Sequence, residues 1–174
     1  MQGTRFLTQA VACQPHRTAT ICHGRRRSWR EVGNRVPRLA AALRALGIAD
    51  GRFVAALAMN SDRYVELFFA VPWAGGAFAP LNIRWSLAEN EYALTDSKAS
   101  VLFIDDSFVD QALELKRKLS WVQTLVWIGE GPALPRRHAR LRDADRADRA
   151  NARRQALRRR PLGHLLHRRH DGPP

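Results

Sequence analysis

The sequence lacks features that define exported and membrane proteins. It has two cysteines in 174 residues, too few for the disulfide framework of a small secreted domain or for a zinc site with two cysteine pairs. Residues 1–16 contain no apolar stretch as long as those of signal peptides. The longest apolar run, residues 67–81, is interrupted by two prolines and two glycines and is shorter than about 20 residues. We therefore expect a cytoplasmic protein without a membrane span.

The last 40 residues lack most of the residue types that build a core. Residues 135–174 contain no Val, Ile, Phe, Trp, Tyr, Met or Cys, and their 13 Arg and 4 Asp supply +9 of the net charge of +13. A segment whose apolar residues are only Ala and Leu cannot offset the conformational entropy lost on folding. We therefore expect a folded head, residues 1–134, and a basic tail, residues 135–174, that is disordered or an isolated helix and adds no strand to the head.

The head alternates between strand and helix patterns. Short apolar segments begin near residues 53, 77, 101 and 124, with a helical pattern in each gap. This spacing is typical of βαβ units, so it predicts an α/β fold: a mostly parallel sheet with helices on both faces. The segment 53–59 is apolar throughout, which predicts a central strand covered on both faces.

Local signals predict the ends of several elements. Residues 18–22 and 25–29 read as two short strands. Ser28 can cap a helix with inward apolar positions every three or four residues, ending at Gly47; Pro37 predicts a kink or break in it. These inward positions are Val32, Val36, Leu39, Leu43 and Leu46. Asn60 or Ser61 can cap the next helix, whose inward positions are Tyr64, Leu67, Phe68 and Val71, and Ser86 to Glu89 form a capping-box pattern.

Few residues of the head suggest a chemical role. Asp105 and Asp106 follow a predicted strand, but adjacent side chains there point apart, so we interpret them as a solvated helix cap. His23 lies in a predicted turn, which favours a surface position. Gly75 and Gly76 match no phosphate-loop pattern and are interpreted as a helix end. The aromatic residues Tyr64, Phe68, Phe69, Trp73 and Trp85 fit packing better than a ligand pocket.

Several blocks of the head are nevertheless characteristic. They include Arg17 to Thr20, Ser28 to Glu31 and, most specifically, NSDRY, AVPWAGG and PLNIRWS within residues 60–86. From about Arg17 to Gly131 the sequence resembles the N-terminal part of AMP-forming acyl-CoA ligases, the adenylate-forming superfamily. The resemblance implies a protein several times longer that uses ATP, Mg²⁺ and CoA to activate a fatty or other carboxylic acid.

The matched region lies upstream of the signature catalytic motifs of that family. We therefore assign no catalytic, cofactor-binding or metal-binding residue to this chain, expect no ligase activity from it, and leave its oligomeric state open. In the family the sequence continues into a phosphate-binding loop of the form D-L-x-G-I-F-Y-T-G-G-T-T-G-x-P-K-G.

The tail can be related to that loop by a change of reading frame. We write D-L-W-G-I-F-Y-T-G-G-T-T-G-R-P-K with GC-rich codons and form new codons from the third base of each triplet and the first two bases of the next. The new codons encode PLGHLLHRRHDGPP, residues 161–174, followed by a stop codon. The same regrouping converts M-P-G-Y-E into residues 138–142. Our hypothesis is that the residues from about 135 onward are out-of-frame translation, with the frame changing between Gly131 and His138.

A natural Arg-rich extension is the alternative. Residues 136–160 are dense enough in arginine to bind phosphates electrostatically, with strong salt dependence. The segment has no aromatic side chain to stack on bases, so binding to nucleic acid would be nonspecific. It also lacks the wide apolar stripe of a membrane-surface helix.

Overall fold

The computed structural model describes residues 2–49, 51–131 and 139–140. In chain order the helices are α1 (Gln2–Cys13), α2 (Trp29–Ala45), α3 (Asp62–Ala74), α4 (Leu87–Ser97) and α5 (Val109–Lys118). The strands are β1 (Thr18–Cys22), β2 (Arg25–Ser28), β3 (Phe53–Leu57), β4 (Ala77–Pro80), β5 (Val101–Ile104), β6 (Thr124–Trp127) and β7 (Ala139–Arg140). Within the described ranges no helix combines the length and apolar character needed to cross a membrane.

The main sheet is parallel, as predicted. Its strand order is β4-β3-β5-β6-β7, and the register aligns Val54 with Phe78 on one side and with Val101 on the other. The strand predicted to be central, β3, lies between two neighbours but ends at Leu57, two residues earlier than expected. Strands β1 and β2 form a separate antiparallel hairpin.

Alternating side chains of the sheet build two cores. Val54 and Ala56 of β3 face a cluster covered by α1, α2 and α3, whereas Ala55 and Leu57 face a cluster covered by α4 and α5. Because successive side chains in a strand point to opposite faces, a strand that is apolar throughout must be covered on both. The predicted arrangement of helices on both faces is confirmed.

Serine caps begin three of the helices, as the sequence indicates. The hydroxyl oxygens of Ser28, Ser61 and Ser86 accept hydrogen bonds from backbone N–H groups three residues later. At Ser86 the Glu89 carboxylate accepts the Ser86 N–H at 2.8 Å, which completes the predicted capping box. Each cap satisfies N–H groups that have no partner within the helix.

Two inward positions predicted for α2 and α3 are wrong, and the break allowed for at Pro37 does not occur. Helix α2 continues through Pro37, and the apolar side chains of Val36 and Leu39 on either side of it are buried. Leu46 is the exposed C-cap of α2 and not an inward position. Phe68, expected inside, is half-exposed, although Tyr64, Leu67 and Val71 are buried.

Helix α1 is not among the predicted elements. Its Leu7 side chain is buried against α2 and α3, and Val11 packs beside Gly33, where a Cβ atom would lie 2.6 Å from Val11 Cγ2. Glycine at position 33 therefore allows α1 and α2 to approach closely.

Two residues of the tail contradict the expectation that it adds no strand. Ala139 and Arg140 pair in parallel with Val126 and Trp127 of β6. Strand β6 would otherwise leave its backbone groups open along that side, and a short extended segment of any composition can satisfy them. The other expectations for residues 135–174 lie outside the described residues.

Candidate functional site

The topology of the sheet creates one crevice at its carboxyl edge. From β3 the chain passes through α3 to β4 on one side, and then returns through α4 to β5 on the other side of β3. The loops that follow β3 and β5 therefore leave in opposite directions from neighbouring strands. In open α/β sheets such a point is where ligands bind.

The crevice has a volume of about 640 Å³. Four segments line it: the β1–β2 turn and the loops that follow β3, β5 and β6. The lining residues are His23, Arg25, Met59, Asn60, Ser61, Asp105, Asp106, Ser107, Ile128, Gly129 and Glu130. Most of its polar side chains belong to loops, as expected for a site at the end of a sheet.

Two adjacent carboxylates at the end of β5 hold the neighbouring loops. Asp105 accepts the Met59 N–H at 2.6 Å and caps a single turn of 3₁₀ helix by accepting the Ser107 N–H at 2.9 Å. Asp106 accepts the Trp127 indole N–H at 2.9 Å and the backbone N–H groups of Glu130 and Gly131 at 2.8 and 2.9 Å. Both carboxylates thus organise backbone within the crevice.

The loop that follows β6 is held from its other side by Arg63. This buried guanidinium donates hydrogen bonds to the carbonyl oxygens of Ile128 and Gly129 and pairs with the Glu130 carboxylate at 3.2 Å. Glu130 also pairs with Arg25 of the hairpin. The loop therefore has its carbonyl groups satisfied by Arg63 and its amides by Asp106.

Behind the crevice, α3 carries two buried carboxylates one helical turn apart. Asp62 accepts two hydrogen bonds from Arg25, both at 2.8 Å, and one from Arg27 at 2.7 Å. Glu66 pairs with Arg35 at 2.6 Å and with Arg27 at 3.7 Å. These residues form an ion-pair network that links the hairpin, α2 and α3.

The network has clear electrostatic consequences. Burial acts to raise the pKa of Asp62, but the hydrogen bonds from Arg25 and Arg27 outweigh it and hold that pKa well below its usual range. At Glu66 burial wins, so its pKa is raised despite the hydrogen bond from Arg35. The hydrogen bond from Arg25 lowers the pKa of Glu130. Asp62 and Glu130 are therefore anionic at neutral pH.

Comparison with known proteins accounts for this architecture. The model of the family described as "AMP-binding enzyme" matches residues 7–160, which is most of the chain. The chain belongs to the AMP-binding enzyme family. Benzoate–CoA ligase of Arabidopsis thaliana is 36% identical over 115 residues, 66% of this chain and 20% of that protein. Feruloyl-CoA synthase of an Amycolatopsis species is 46% identical over 88 residues, 51% of this chain and 18% of that protein.

A solved AMP-binding enzyme shares the fold. The anthranilate CoA ligase AuaEII, solved with anthranoyl-AMP, superposes with a TM-score of 0.77 and 26% identity, over 83% of this chain and 28% of that chain. The resemblance to adenylate-forming enzymes and the predicted fold class are therefore confirmed. The chain spans about a fifth of the length of the curated relatives it matches.

The crevice of this member of the AMP-binding enzyme family does not fit the phosphates of ATP. Its lining carries three carboxylates, those of Asp105, Asp106 and Glu130, and Arg25 is already paired with Asp62 and Glu130. A triphosphate would have to displace a carboxylate to reach a guanidinium. In residues 2–49 and 51–131, moreover, no three His, Cys, Asp or Glu side chains come together as metal ligands.

Most single residues considered in the sequence occupy the predicted places. His23 is exposed in the hairpin turn, and Gly75 ends α3 with a φ of 96°. Asp105 is a helix cap as expected, whereas Asp106 bonds to the loop that follows β6 and does not act as a solvated cap. Of the aromatic side chains, Tyr64 and Phe68 cluster with Phe78, Phe69 stacks on Phe6, Trp73 is partly buried against the core, and Trp85 is exposed.

The ion-pair network is the feature that sequence reasoning missed. Asp62 and Glu66 are spaced by four, and they lie on the same side of α3 as the buried residues Leu67 and Ala70. Charged residues on the apolar face of a helix are seldom buried unless they are paired. That spacing, together with arginines at alternate positions in β2, is the signal that could have predicted it.

Proposed function

We propose that the head is the first part of an AMP-forming ligase, which activates a carboxylic acid as an acyl adenylate and transfers the acyl group to CoA. The observation that carries this proposal is the family match over residues 7–160, together with relatives whose names describe CoA ligases. The fold supports it, because a parallel sheet with an organised carboxyl edge is the framework on which such a site is assembled.

We further propose that the 174 residues alone do not catalyse the reaction. The phosphate-binding loop of the family is not among them, and the lining of the crevice carries the carboxylates of Asp105, Asp106 and Glu130. Preorganised donors at a developing charge contribute several kcal/mol to catalysis, about 3–4 kcal/mol for a single group in well-studied enzymes. Without them, acid-dependent AMP formation should be undetectable.

The third part of the proposal is that the gene continues to encode ligase sequence beyond Gly131, but in another reading frame. Residues 161–174 support it, since GC-rich codons chosen for the family's phosphate-loop motif encode these residues in order after one shift of frame. The family match extends to residue 160, past the proposed change, so the nucleotide sequence decides whether the frame changes between codons 131 and 138.

The test compares two proteins in one assay. The chain as it stands and the product of a gene corrected in frame between codons 131 and 138 are incubated with ATP, Mg²⁺, CoA and a panel of fatty and aromatic acids. We expect acid-dependent AMP and acyl-CoA from the corrected protein only. We expect fatty acids among its substrates, and the panel includes aromatic acids because benzoate and ferulate appear in the names of the relatives.

Two results would contradict the proposal. Acid-dependent release of pyrophosphate by the 174-residue chain, above that of a heat-inactivated sample, would show that the residues present suffice. A corrected frame that stops within a few codons, or whose folded product binds no ATP, would remove the ligase function.

A further inference from the structure

A second cavity lies where α1 meets the C-terminal ends of α2 and α3. Its volume is about 560 Å³, which is in the size range of sites for small molecules. Its lining includes Arg5, Thr8 and Gln9 of α1, Arg44 of α2 and Trp73 of α3.

This cavity is separate from the crevice at the carboxyl edge of the sheet. Helix α3 begins at Asp62, behind the crevice, and ends at Ala74. Trp73 therefore lies about 17 Å farther along the helix axis than Asp62, at a rise of about 1.5 Å per residue. Within the described residues the two cavities share no lining residue. An activity of this cavity would thus be independent of the proposed function.

The surroundings of the cavity are strongly positive. Residues 1–49 contain nine arginines and one acidic residue, Glu31, whose carboxylate accepts hydrogen bonds from the Ser28 N–H and hydroxyl groups. In the part of the chain that the structure describes, the Arg5 guanidinium has no carboxylate partner. A concave surface with charges of one sign concentrates ligands of the opposite sign.

The second arginine of the lining is held in place by the backbone. Arg44 donates a hydrogen bond to the carbonyl oxygen of Trp73, one of the last carbonyl groups of α3, which have no partner within the helix. This bond places the Arg44 guanidinium beside the Trp73 side chain. Because a guanidinium has five N–H donors, Arg44 keeps donors for the anionic group of a ligand.

Trp73 gives the cavity an aromatic wall. Its side chain packs against the core formed by α1, α2, α3 and the sheet, so its ring is supported from behind while it lines the cavity. A flat ring of a ligand can stack on an indole. An inorganic anion would leave this wall unused, and a neutral aromatic molecule would leave the two arginines without an acceptor.

We propose that this cavity binds a small aromatic molecule that carries a phosphate or carboxylate group. The ring of the ligand packs on Trp73, and its anionic group accepts hydrogen bonds from Arg5 and Arg44. Phosphate and carboxylate share the oxygen geometry that a guanidinium recognises, so the test compares the two groups.

The first test is calorimetric titration of the 174-residue chain at low ionic strength, because salt screens exposed charges. We expect 1-naphthyl phosphate or 2-naphthoate to bind with a Kd below about 1 mM, and the tighter of the two identifies the anionic group. 1-Naphthol and inorganic phosphate should each bind at least about tenfold more weakly, since each lacks one of the two features.

Substitutions in the lining give the second test. Arg5→Gln and Thr8→Glu change exposed positions of α1 to good helix formers. Arg5→Gln should weaken binding about fivefold or more, and Thr8→Glu about tenfold or more, because its carboxylate repels the ligand and pairs with Arg5. The matched control Arg30→Gln removes an exposed arginine of α2 outside the lining, with the same change of net charge. It should alter the affinity less than about twofold.

Nuclear magnetic resonance locates the bound ligand without any substitution. In the ¹⁵N-labelled chain, 1-naphthyl phosphate or 2-naphthoate should shift the indole N–H resonance of Trp73, because an aromatic ring stacked on the indole changes its magnetic environment. The resonance of Trp85, which is 39% exposed in the loop after β4, should not move.

Four results would overturn the proposal. They are the absence of binding by both aromatic anions, equal binding of 1-naphthol, equal weakening by Arg5→Gln and Arg30→Gln, and a Trp73 resonance that stays in place at saturation. The third of these would mean that the basic surface attracts anions without a defined site.

Discussion

Asp62 is the residue on which the packing of the hairpin against α3 most depends. Its side chain is inaccessible to solvent, yet it is charged, and its charge is balanced by Arg25 and Arg27. A buried ion pair contributes little net stability compared with apolar residues, but the loss of one partner leaves the other charges uncompensated. The same aspartate therefore determines how Arg25 is placed to reach Glu130 in the crevice.

We predict that Asp62→Asn lowers the free energy of unfolding by about 2–3 kcal/mol. The value lies at or below the lower end of the usual range of about 3–5 kcal/mol, because Arg25 and Arg27 remain partly exposed to water. Urea unfolding followed by tryptophan fluorescence measures it. The control Glu114→Gln removes an exposed pair with Arg117 at 3.9 Å and should cost less than about 0.5 kcal/mol. Equal effects of the two substitutions would contradict a special role for Asp62.

The pH dependence of stability provides a second test at this site. The pKa of Asp62 is lowered in the folded protein, so its contribution is present above the unfolded pKa of about 4 and is lost as the pH falls below it. The pKa of Glu66 is raised in the folded protein. Its contribution to stability therefore has the opposite pH dependence: it is present below the unfolded pKa and is lost as the pH rises.

We therefore predict that the difference in unfolding free energy between the wild type and Asp62→Asn narrows as the pH is lowered from 6 toward 2. Urea titrations at several pH values measure this difference. A difference that stays constant over the range would mean that the ionised carboxylate is not what stabilises the fold.

Sequence reasoning at the scale of residues succeeds where the partner is local. The cap roles of Ser28, Ser86 and Asp105 depend on neighbours within three residues, so the pattern alone predicts them. The bonds of Asp106 to the loop after β6 span more than 20 residues. Such pairing becomes visible only once the topology of the sheet is known.

At the scale of elements, the contact between α1 and α2 offers a sharp test. Gly33→Ala should gain about 1 kcal/mol from helix propensity, but the new Cβ would lie 2.6 Å from the stiff Val11 side chain. We predict that Gly33→Ala is neutral or destabilising in the wild type and stabilising by about 1 kcal/mol in a Val11→Ala background. Urea unfolding of the four proteins gives the coupling. Additive effects would contradict direct contact between the two helices at this point.

The elements that the sequence predicts best are those in which apolar residues recur with a clear helix or strand spacing. The four predicted strands of the parallel sheet, β3 to β6, and the helices between them lie close to their expected positions, because apolar runs and capping residues mark their ends. Helix α1 is missed because its inward face has few apolar side chains, mainly the buried Leu7 and the partly buried Val11. Pro37 misleads for a different reason: tertiary packing on both sides of it outweighs its local cost.

At the scale of the whole molecule, the described fold corresponds to about a fifth of the length of the relatives that the chain matches. Two layers of helices cover the sheet, and a network of charges fixes the carboxyl-edge loops, yet the β4 edge and its aromatic cluster stay open. The crevice is lined by three carboxylates and by an arginine that is already paired, so within it no side chain is placed to bind phosphate. The head therefore keeps the family's fold, whereas the absence of ligase activity from the 174 residues is our proposal.

The nucleotide sequence of the gene from codon 129 onward tests the central claim most directly. We predict that, after a single change of frame between codons 131 and 138, the reading passes through codons for Y-T-G-G-T-T-G and P-K and continues as ligase sequence. A gene whose only open frame encodes residues 135–174 as given, with no such motif in either alternative frame, would contradict the claim and make the arginine-rich tail a natural part of the protein.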